Sequence, residues 1–531
     1  MKTAPYLEPV FQAYQDQARW RQKEAIQPKV KVNQALSSLA LVYEKIRTAV
    51  DFRAEHLFRR VAIERILRRH LLAGKRQDEQ LAQELIKELI WSRYLQNESV
   101  PVKKVGLVAQ IIAKYRSLKE RVLGRKNGVF DRQAELLLGL MATEIDELLV
   151  DQRQDEAWVW ALAQWFQERF EWQDPLPPEE QAILLYIALR QAFLKSDETI
   201  IRYHLLLHRF PNWSQANQTL VDQVASEFES WQKEVEAYLH HPLSRRLFRF
   251  VQAEVTPFFV LRELIEANWP QSLVWLEDGE QLKTKIEEIC RRRYQQIGQK
   301  VRRGIIRSII YIFATKMIFA FFLEIPYELW AWRRIAWLPL GINLVFPPSL
   351  MFFVGLLIRP PGEENTKRII DRIRVFLYPP TEQESISLQF SSQHQAKFIF
   401  VFRLLYLVLF LLSFGGVAWL LWRLGFNLLG GMIFFFFVSL VLLFGFRVRW
   451  AANELRVTGE REHLLGSLFN LISLPFLDLG GRLSVGLSRL NVLMFVLDFL
   501  IEAPLKIIID LIGEWTNFIR QKQAEVVEVP F

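Results

Sequence analysis

Two histidines in the segment YHLLLH have the spacing of a metal-binding pair. His204 and His208 lie four residues apart, so in a helix they project from one face. A zinc protease would carry a glutamate directly after the first histidine and a third ligand elsewhere. Neither accompanies this pair in an obvious way. We therefore interpret both as ordinary helix residues, and the sequence predicts no metal site.

Other signatures of catalysis are missing from the sequence. It has no glycine-rich phosphate loop, no nucleophile elbow and no cysteine cluster. The glycine-bearing stretch GGRLSVGLSRL follows no recognisable strand. The single cysteine, Cys290, excludes an intrachain disulfide and is typical of a reducing compartment. These observations predict a protein that is not an enzyme, with no catalytic residue and no cofactor.

The most unusual charged residue is Lys316, in the middle of the apolar stretch SIIYIFATKMIFAFFLEIPYELWAW. A charge at the centre of a spanning helix costs about 2.5–3.5 kcal/mol on insertion scales. The lysine can reduce this cost by snorkelling to lipid headgroups or by pairing with an acid. Glu324 lies two helical turns further toward the outer side, which makes it a poor direct partner.

The C-terminal tail offers better acids. In NVLMFVLDFLIEAPLKIIIDLIGEW, charges recur at every fourth residue and form one stripe on an apolar helix. The members of this stripe are Asp498, Glu502, Lys506, Asp510 and Glu514. We predict that the tail lies against the membrane and that Lys316 pairs with Asp498 or Glu502. Snorkelling to headgroups is the alternative.

Four segments are long and apolar enough to span a bilayer, which takes about 20 residues. They cover residues 304–323, 335–358, 404–422 and 424–446. We expect the second to be interrupted, because Pro339, Asn343 and the pair Pro347-Pro348 lie inside it.

The third and fourth spans are joined by a few residues around Arg423 and should form a tight hairpin. Gly415-Gly416 and Gly430-Gly431 are expected to let the two backbones of this hairpin approach closely.

Basic residues are distributed unequally around the four spans. They are frequent before the first span, between the second and third, and after the fourth, whereas the other loops carry only Arg333, Arg334 and Arg423. The positive-inside rule therefore predicts cytoplasmic N- and C-termini. The N-terminus has no apolar run typical of a cleaved signal peptide. We predict a multi-pass integral protein of the plasma (inner) membrane.

The net charge of +9 indicates an anionic partner. Since a basic run leads directly into the first span, we predict contact with anionic headgroups on the cytoplasmic side. The residues of this run are Arg291, Arg292, Arg293, Arg302 and Arg303. No nucleic acid is expected, whereas a protein partner or a homo-oligomer is.

Residues 1 to about 300 have helical periodicity almost throughout. Pro178 suits the first turn of a helix, and Asp197 suits the residue before one. Another helix is expected to start at Asn212 or Ser214. The positions of these starts predict a string of helices joined by short turns.

Together these patterns predict an all-α protein: a helical cytoplasmic domain, a four-helix polytopic membrane domain, and an amphipathic, membrane-associated C-terminal tail. The predicted regions are 1–173, 174–300, 301–446 and 447–531. The predicted function is a non-enzymatic scaffold or assembly factor. The alternative is a transporter or channel component that uses Lys316, Asn343 and the broken second span. An enzyme acting on lipid ranks third, because no catalytic cluster is visible at the interface.

Overall fold

The computed structural model describes residues 3–32, 57–72, 77–124, 132–172, 176–358, 360–378, 386–388, 399–457 and 464–489. About 83% of the structure is helical, which confirms the all-α prediction. The only strands among these residues are β1 (Phe170–Trp172) and β2 (Ile386–Leu388), which pair in parallel. Two compact units contain the described residues. The predicted boundaries at 173, 300 and 446 stay predictions.

The N-terminal unit contains Pro5–Gln167 and Pro177–Gln252. Its helices are α1 (Glu8–Ala25), α2 (Phe58–Leu72), α3 (Asp78–Trp91), α4 (Lys103–Leu123), α5 (Arg132–Leu149), α6 (Arg153–Gln167), α7 (Pro178–Ala192), α8 (Glu198–Arg209), α9 (Gln218–Leu239) and most of α10 (Ser244–Glu254). Each amphipathic helix turns its apolar stripe inward, as α3 does with Leu85, Ile86 and Leu89. Burial of the stripes of α2–α5 and α7–α9 forms one large core.

Two of the predicted helix starts in this unit are confirmed. Pro178 opens α7, and the Asp197 side chain accepts a hydrogen bond from Ile200 N at 3.0 Å at the start of α8. The predicted start at Asn212 or Ser214 opens only a 3-10 turn, Trp213–Gln215, and not an α-helix. Trp213 is fully buried in a short 3-10 turn there, and α9 begins later, where Asn217 caps Leu220 N at 2.9 Å.

The C-terminal unit contains Glu168–Leu176 and Ala253–Leu490. Its helices are α11 (Thr256–Asn268), α12 (Ser272–Glu277), α13 (Gly279–Phe319), α14 (Ile325–Trp332), α15 (Trp337–Leu357), α16 (Glu363–Leu377), α17 (Ile399–Arg423), α18 (Leu428–Ala452) and α19 (Leu464–Arg489). A π-helical turn, Ala320–Glu324, continues α13 into α14 without a break.

Four described helical segments are long and apolar enough to cross a membrane: Gly279–Trp332, Trp337–Leu357, Arg403–Arg423 and Leu428–Ala452. Each predicted span falls on one of them. The expected interruption of the second span is wrong, because α15 continues through Pro347 and Pro348. Pro347 itself is buried.

Apolar side chains hold the spans together. Ile312 of α13, Met351 of α15 and Phe437 of α18 belong to one buried cluster. On the other side of α18, the Phe476 ring of α19 stacks on Phe414 of α17 at 4.6 Å between ring centroids. Helix α19 therefore packs on the described spans rather than standing alone.

The hairpin between α17 and α18 turns through a Schellman motif. Gly425 N donates to Trp422 O and Phe426 N donates to Leu421 O, both at 3.0 Å. Gly425 has φ +82°, a left-handed conformation that favours glycine. Phe426 also packs against the cluster that contains Leu421, which completes the motif.

The predicted close approach at the glycine pairs of this hairpin is wrong. A Cβ atom built on Gly415, Gly416 or Gly431 would meet nothing within 4 Å, and one on Gly430 would meet first the cap of its own helix. The backbones approach closely elsewhere. A Cβ on Gly480 of α19 would lie 2.5 Å from Ser439 O of α18. Between α17 and α18, the ring of Phe414 stacks on that of Phe435.

Candidate functional site

The Lys316 side chain is fully buried, and its Nζ donates a hydrogen bond to Glu324 Oε1. The expectation that Glu324 is a poor partner is therefore wrong. Eight residues of regular α-helix would leave the two side chains about 80° apart around the axis. The π-helical turn inserts roughly one extra residue, or about 100°, which cancels most of that offset. The carboxylate thus returns to the face of the lysine.

Asn343 connects this ion pair to two other helices. From α15 its Nδ2 donates to Glu324 Oε1 at 2.8 Å and to Gly430 O of α18 at 3.2 Å. Asn343 is 1% exposed, and its Oδ1 has no hydrogen-bond partner among the described residues. The Lys316 ammonium also lies 4.9 Å from the centroid of the Phe437 ring of α18. The pair is therefore enclosed by α15 and α18.

A second buried carboxylate, Glu328, lies one helical turn after Glu324. Glu328 Oε2 accepts from Ala336 N at 2.8 Å, and Glu328 Oε1 accepts from Asn427 Nδ2 at 3.1 Å. Asn427 Oδ1 in turn accepts from Gly430 N at 2.6 Å. Gly430 therefore links the surroundings of the two acids through its N–H and its carbonyl. We call Lys316, Glu324, Glu328, Asn343, Asn427 and Gly430 the buried charge cluster.

The buried charge cluster contains one ammonium, two carboxylates and two carboxamides. Neither α15 nor residues 428–446 of α18 contribute an ionisable side chain. Within the described ranges, no group of three or more His, Cys, Asp and Glu side chains has the arrangement of a metal site. The cluster can therefore hold three helices together by charge-assisted hydrogen bonds, and it retains one unused acceptor.

The sequence identified part of the buried charge cluster and missed the rest. It singled out Lys316 and Asn343, which the structure brings together on Glu324. Asp498 and Glu502 lie outside the described residues, so their pairing with Lys316 stays a prediction. Glu324 and Glu328 were missed as cluster members, although their spacing of four residues at the end of an apolar run is a readable signal.

The basic run lies on α13, and all five of its arginines are exposed: Arg291, Arg292, Arg293, Arg302 and Arg303. Two of them also contact a carboxylate. Arg292 Nη2 and Arg293 Nε donate to Glu263 of α11 at 2.6 Å and 2.5 Å. Since salt bridges at an exposed surface contribute little, these arginines retain most of their attraction for anions. Their contact with lipid stays a prediction.

The two histidines of the YHLLLH segment lie in different surroundings. His208 is exposed, whereas His204 is buried with its Nε2 2.7 Å from Glu147 Oε1. Burial lowers the pKa of His204 to about 3 and raises the pKa of Glu147 to about 8. A neutral imidazole beside a protonated carboxyl is therefore the form expected near neutral pH.

A second carboxylate reaches the other nitrogen of His204. Glu156 Oε1 of α6 lies 3.5 Å from His204 Nδ1 and also accepts from Arg190 of α7. The Arg190 guanidinium further donates to the Tyr186 hydroxyl at 3.0 Å. This group is a buried hydrogen-bond network of the N-terminal unit that joins α5, α6, α7 and α8.

Comparisons with protein-family models, curated proteins and solved structures each find no match for this chain. We therefore infer function from the chain's own geometry. The buried charge cluster is the strongest starting point, because a charged group inside a spanning helix is costly and is retained where it has a role.

Proposed function

We propose that this protein is a non-enzymatic membrane scaffold that presents its helical N-terminal part to other proteins. One observation carries the proposal: the polar groups of the spanning helices bond to one another. Lys316 and Asn343 both donate to Glu324, and Asn343 also donates to Gly430 O. Such bonds fix α13, α15 and α18 in one arrangement, which is what an anchor requires.

A path for ions or solutes would use the same polar groups differently. Intramembrane charges on transport routes face a water-filled cavity or the substrate. Here the Lys316 side chain is fully buried and Glu324 is 4% exposed. The closure of the buried charge cluster therefore favours a structural role for the spans.

The exposed side chains at the two ends of the spanning helices support a defined orientation. Arg302 and Arg303 are exposed near the start of the first span. Trp330, Trp332 and Trp337 are exposed beyond its other end, where aromatic rings prefer the headgroup region. We propose that the basic end faces the cytoplasm and contacts anionic headgroups there, in the plasma (inner) membrane.

Reporter fusions test this orientation. Fusions at Asn97, Glu384 and the C-terminus should report cytoplasm, and a fusion at Trp330 should report the outside. Matched fusions of a cytoplasmic and an exported reporter at each position control for expression. An outside signal at Glu384 would contradict the four-span topology.

Site-specific cross-linking tests the scaffold itself. Trp160 is 46% exposed in the N-terminal unit, and exposed aromatic residues are favoured as anchors in protein interfaces. A photoreactive residue at Trp160 should capture a defined protein neighbour in native membranes. The exposed Glu229 on α9 is the control position. Mass spectrometry of the cross-linked product then shows whether the neighbour is a second copy of this chain or another protein. If both positions capture the same mixture of proteins with no defined neighbour, the proposal is contradicted.

The alternative function, a transporter or channel component, is favoured by one observation. Asn343 Oδ1 is a buried acceptor with no partner in the described part of the chain, as at a site that exchanges its ligand. Purified protein in liposomes should move neither ions nor protons if the scaffold proposal holds. A flux that disappears in Lys316→Met and persists in Lys300→Met would establish the alternative instead.

A further inference from the structure

We infer that the buried charge cluster binds one proton. Its ionisable side chains are one lysine and two glutamates, so their ionised forms sum to a charge of −1. A net charge in a low-dielectric interior is costly, and buried groups neutralise rather than carry it. One added proton brings the sum of the three side chains to zero.

Among the residues that the structure describes, no group facing the cluster from a neighbouring helix supplies the missing positive charge. The α15 helix and residues 428–446 of α18 have no ionisable side chain. The closest basic residues after α14, Arg333 and Arg334, are both exposed to solvent. Solvent and salt therefore screen the attraction between these two arginines and the buried acids. Within the described part of the chain, the cluster therefore has to balance its charge among its own side chains.

The hydrogen bonds indicate which carboxyl takes the proton. Each oxygen of Glu328 accepts a bond, from Ala336 N and from Asn427 Nδ2, and this arrangement favours its ionised form. Beside Glu324 lies an acceptor that needs a donor, Asn343 Oδ1. A protonated Glu324 supplies that donor, and it keeps Oε1 for the bond from Asn343 Nδ2.

The proposed step is a simple protonation. Hydronium gives its proton to Glu324 Oε2, one O–H bond breaks in the hydronium and one forms on the carboxyl, and water leaves. The new O–H donates to Asn343 Oδ1, which completes a two-bond acid–amide pair. Lys316 stays an ammonium, and the Glu328 carboxylate balances its charge. The two carboxyl groups thus share one proton as a coupled pair.

A proton suits the cluster better than an alkali cation does. Lys316 already places an ammonium on Glu324 Oε1, so a second cation there would be repelled. A proton adds charge without adding volume among Lys316, Glu324, Glu328 and Asn343, which are 0–6% exposed. Proton binding is independent of the scaffold proposal, since a protein that only anchors partners can carry this site as well.

Infrared difference spectroscopy on the whole protein in lipid nanodiscs tests the inference. The C=O stretch of a carboxylic acid is separate from that of a carboxylate and reports protonation directly. Because Glu147 is also expected to be protonated near neutral pH, the measurement uses the Glu147→Gln background, which should show one buried carboxylic-acid band from the cluster that disappears in strong alkali. Glu324→Gln should remove this band. Asn343→Leu should shift its frequency, because the O–H loses its acceptor.

The matched control is Glu364→Gln, whose glutamate is exposed on α16 and should leave the band unchanged. If Glu324→Gln does not fold, Glu324→Asp keeps a carboxyl and should shift the band instead. Absence of the band at neutral pH would overturn the inference. A band that is lost in Glu328→Gln and kept in Glu324→Gln would also overturn it, because Glu328 would then hold the proton. A band that appears only when sodium is removed would overturn it as well.

Discussion

Two buried lysines, one in each unit, obtain their partners in different ways. Lys114 of α4 donates to Glu144 Oε1 at 2.5 Å and to Trp213 O at 2.8 Å. Both partners are distant in sequence, so this charge ties separate segments together. Lys316 finds its carboxylate, Glu324, in the continuation of its own helix. A buried charge can therefore shape a fold through distant packing or through local helix distortion.

The surroundings of Lys114 show the cost of burial in the N-terminal unit. Desolvation lowers the pKa of Lys114, although the Glu144 carboxylate opposes this shift. Desolvation likewise raises the pKa of Glu144 against the attraction of Lys114. Both shifts have the same cause, so each ion in this pair depends on the other to remain charged.

Among the variants that test this comparison of the two lysines, removal of the Lys316 charge should lower stability most. Lys316→Met leaves two buried carboxyl groups, Glu324 and Glu328, with one proton between them, and the resulting unpaired negative charge should lower the free energy of unfolding by about 3–5 kcal/mol. Lys316→Met with Glu324→Gln should recover much of that loss, because the one remaining carboxyl can hold the proton and no orphan charge remains. Unfolding in detergent, followed by circular dichroism, measures all three proteins.

The control for this cycle is Lys300→Met, an exposed lysine of the same helix, which should change stability by less than about 0.5 kcal/mol. Strictly additive losses in the double variant would show that Glu324 is not the group that Lys316 stabilises. The remaining candidates would then be Asp498 and Glu502, or the lipid headgroups.

Removal of the Lys114 charge in the N-terminal unit should lower stability by less than removal of the Lys316 charge. Lys114→Met should lower the free energy of unfolding by about 1.5–3 kcal/mol, the typical loss of a hydrogen bond to a charged group. Glu144 retains a hydrogen bond with Tyr115, which limits the loss. Chemical denaturation measures it, with the exposed Lys119→Met as the control. A larger loss of stability in Lys114→Met than in Lys316→Met would contradict this ranking.

A pair of adjacent glycines tests how closely the described helices of the C-terminal unit pack. Gly480→Ala should lower stability by about 1–3 kcal/mol, because its Cβ would lie 2.5 Å from the backbone atom Ser439 O. Gly481→Ala should instead be neutral or stabilise by up to about 1 kcal/mol, since its Cβ meets nothing within 4 Å. Thermal unfolding of both variants shows whether each substitution stabilises or destabilises the protein. Equal effects of the two substitutions would contradict the packing of α19 on α18.

The smallest expected effect is a pH dependence of the N-terminal unit. The pKa of Glu147 is about 8, against 4.5 for an ordinary glutamate, so the folded form binds an extra proton within this window. Stability from this group therefore falls as the pH rises from 4.5 to 8. His204, with a pKa of about 3 against 6.5, has the opposite effect between those two values.

The two effects oppose each other up to pH 6.5, which leaves a net fall from pH 6.5 to 8. This fall should be at most about 2 kcal/mol, since one pKa unit corresponds to about 1.4 kcal/mol. Thermal unfolding across this range should show it in the wild type and not in Glu147→Gln. An identical slope in both proteins would mean that Glu147 does not carry the proton.

Features set by local chemistry could be predicted from the sequence. The four apolar segments, the proline at the start of α7 and the Asp197 cap depend on neighbouring residues only. Asn212 was misread as a helix start because the burial of Trp213 is a tertiary effect. Lys316 was recognisable as unusual, but its partner was not, since the prediction assumed a regular helical repeat where a π-helical turn occurs. Pairs between distant helices, such as His204 with Glu147, leave no pattern in a single sequence.

The uninterrupted length of α13 has a mechanical consequence. Its 41 residues form a rod of roughly 60 Å, about twice the thickness of the hydrocarbon layer. A rod of that length acts as a lever. A tilt of about 10° at one end moves the other end by roughly 10 Å. Because the buried charge cluster lies where this rod ends and the basic run lies about halfway along it, a tilt about the cluster end displaces the far end of α13 about twice as far as it displaces the basic run.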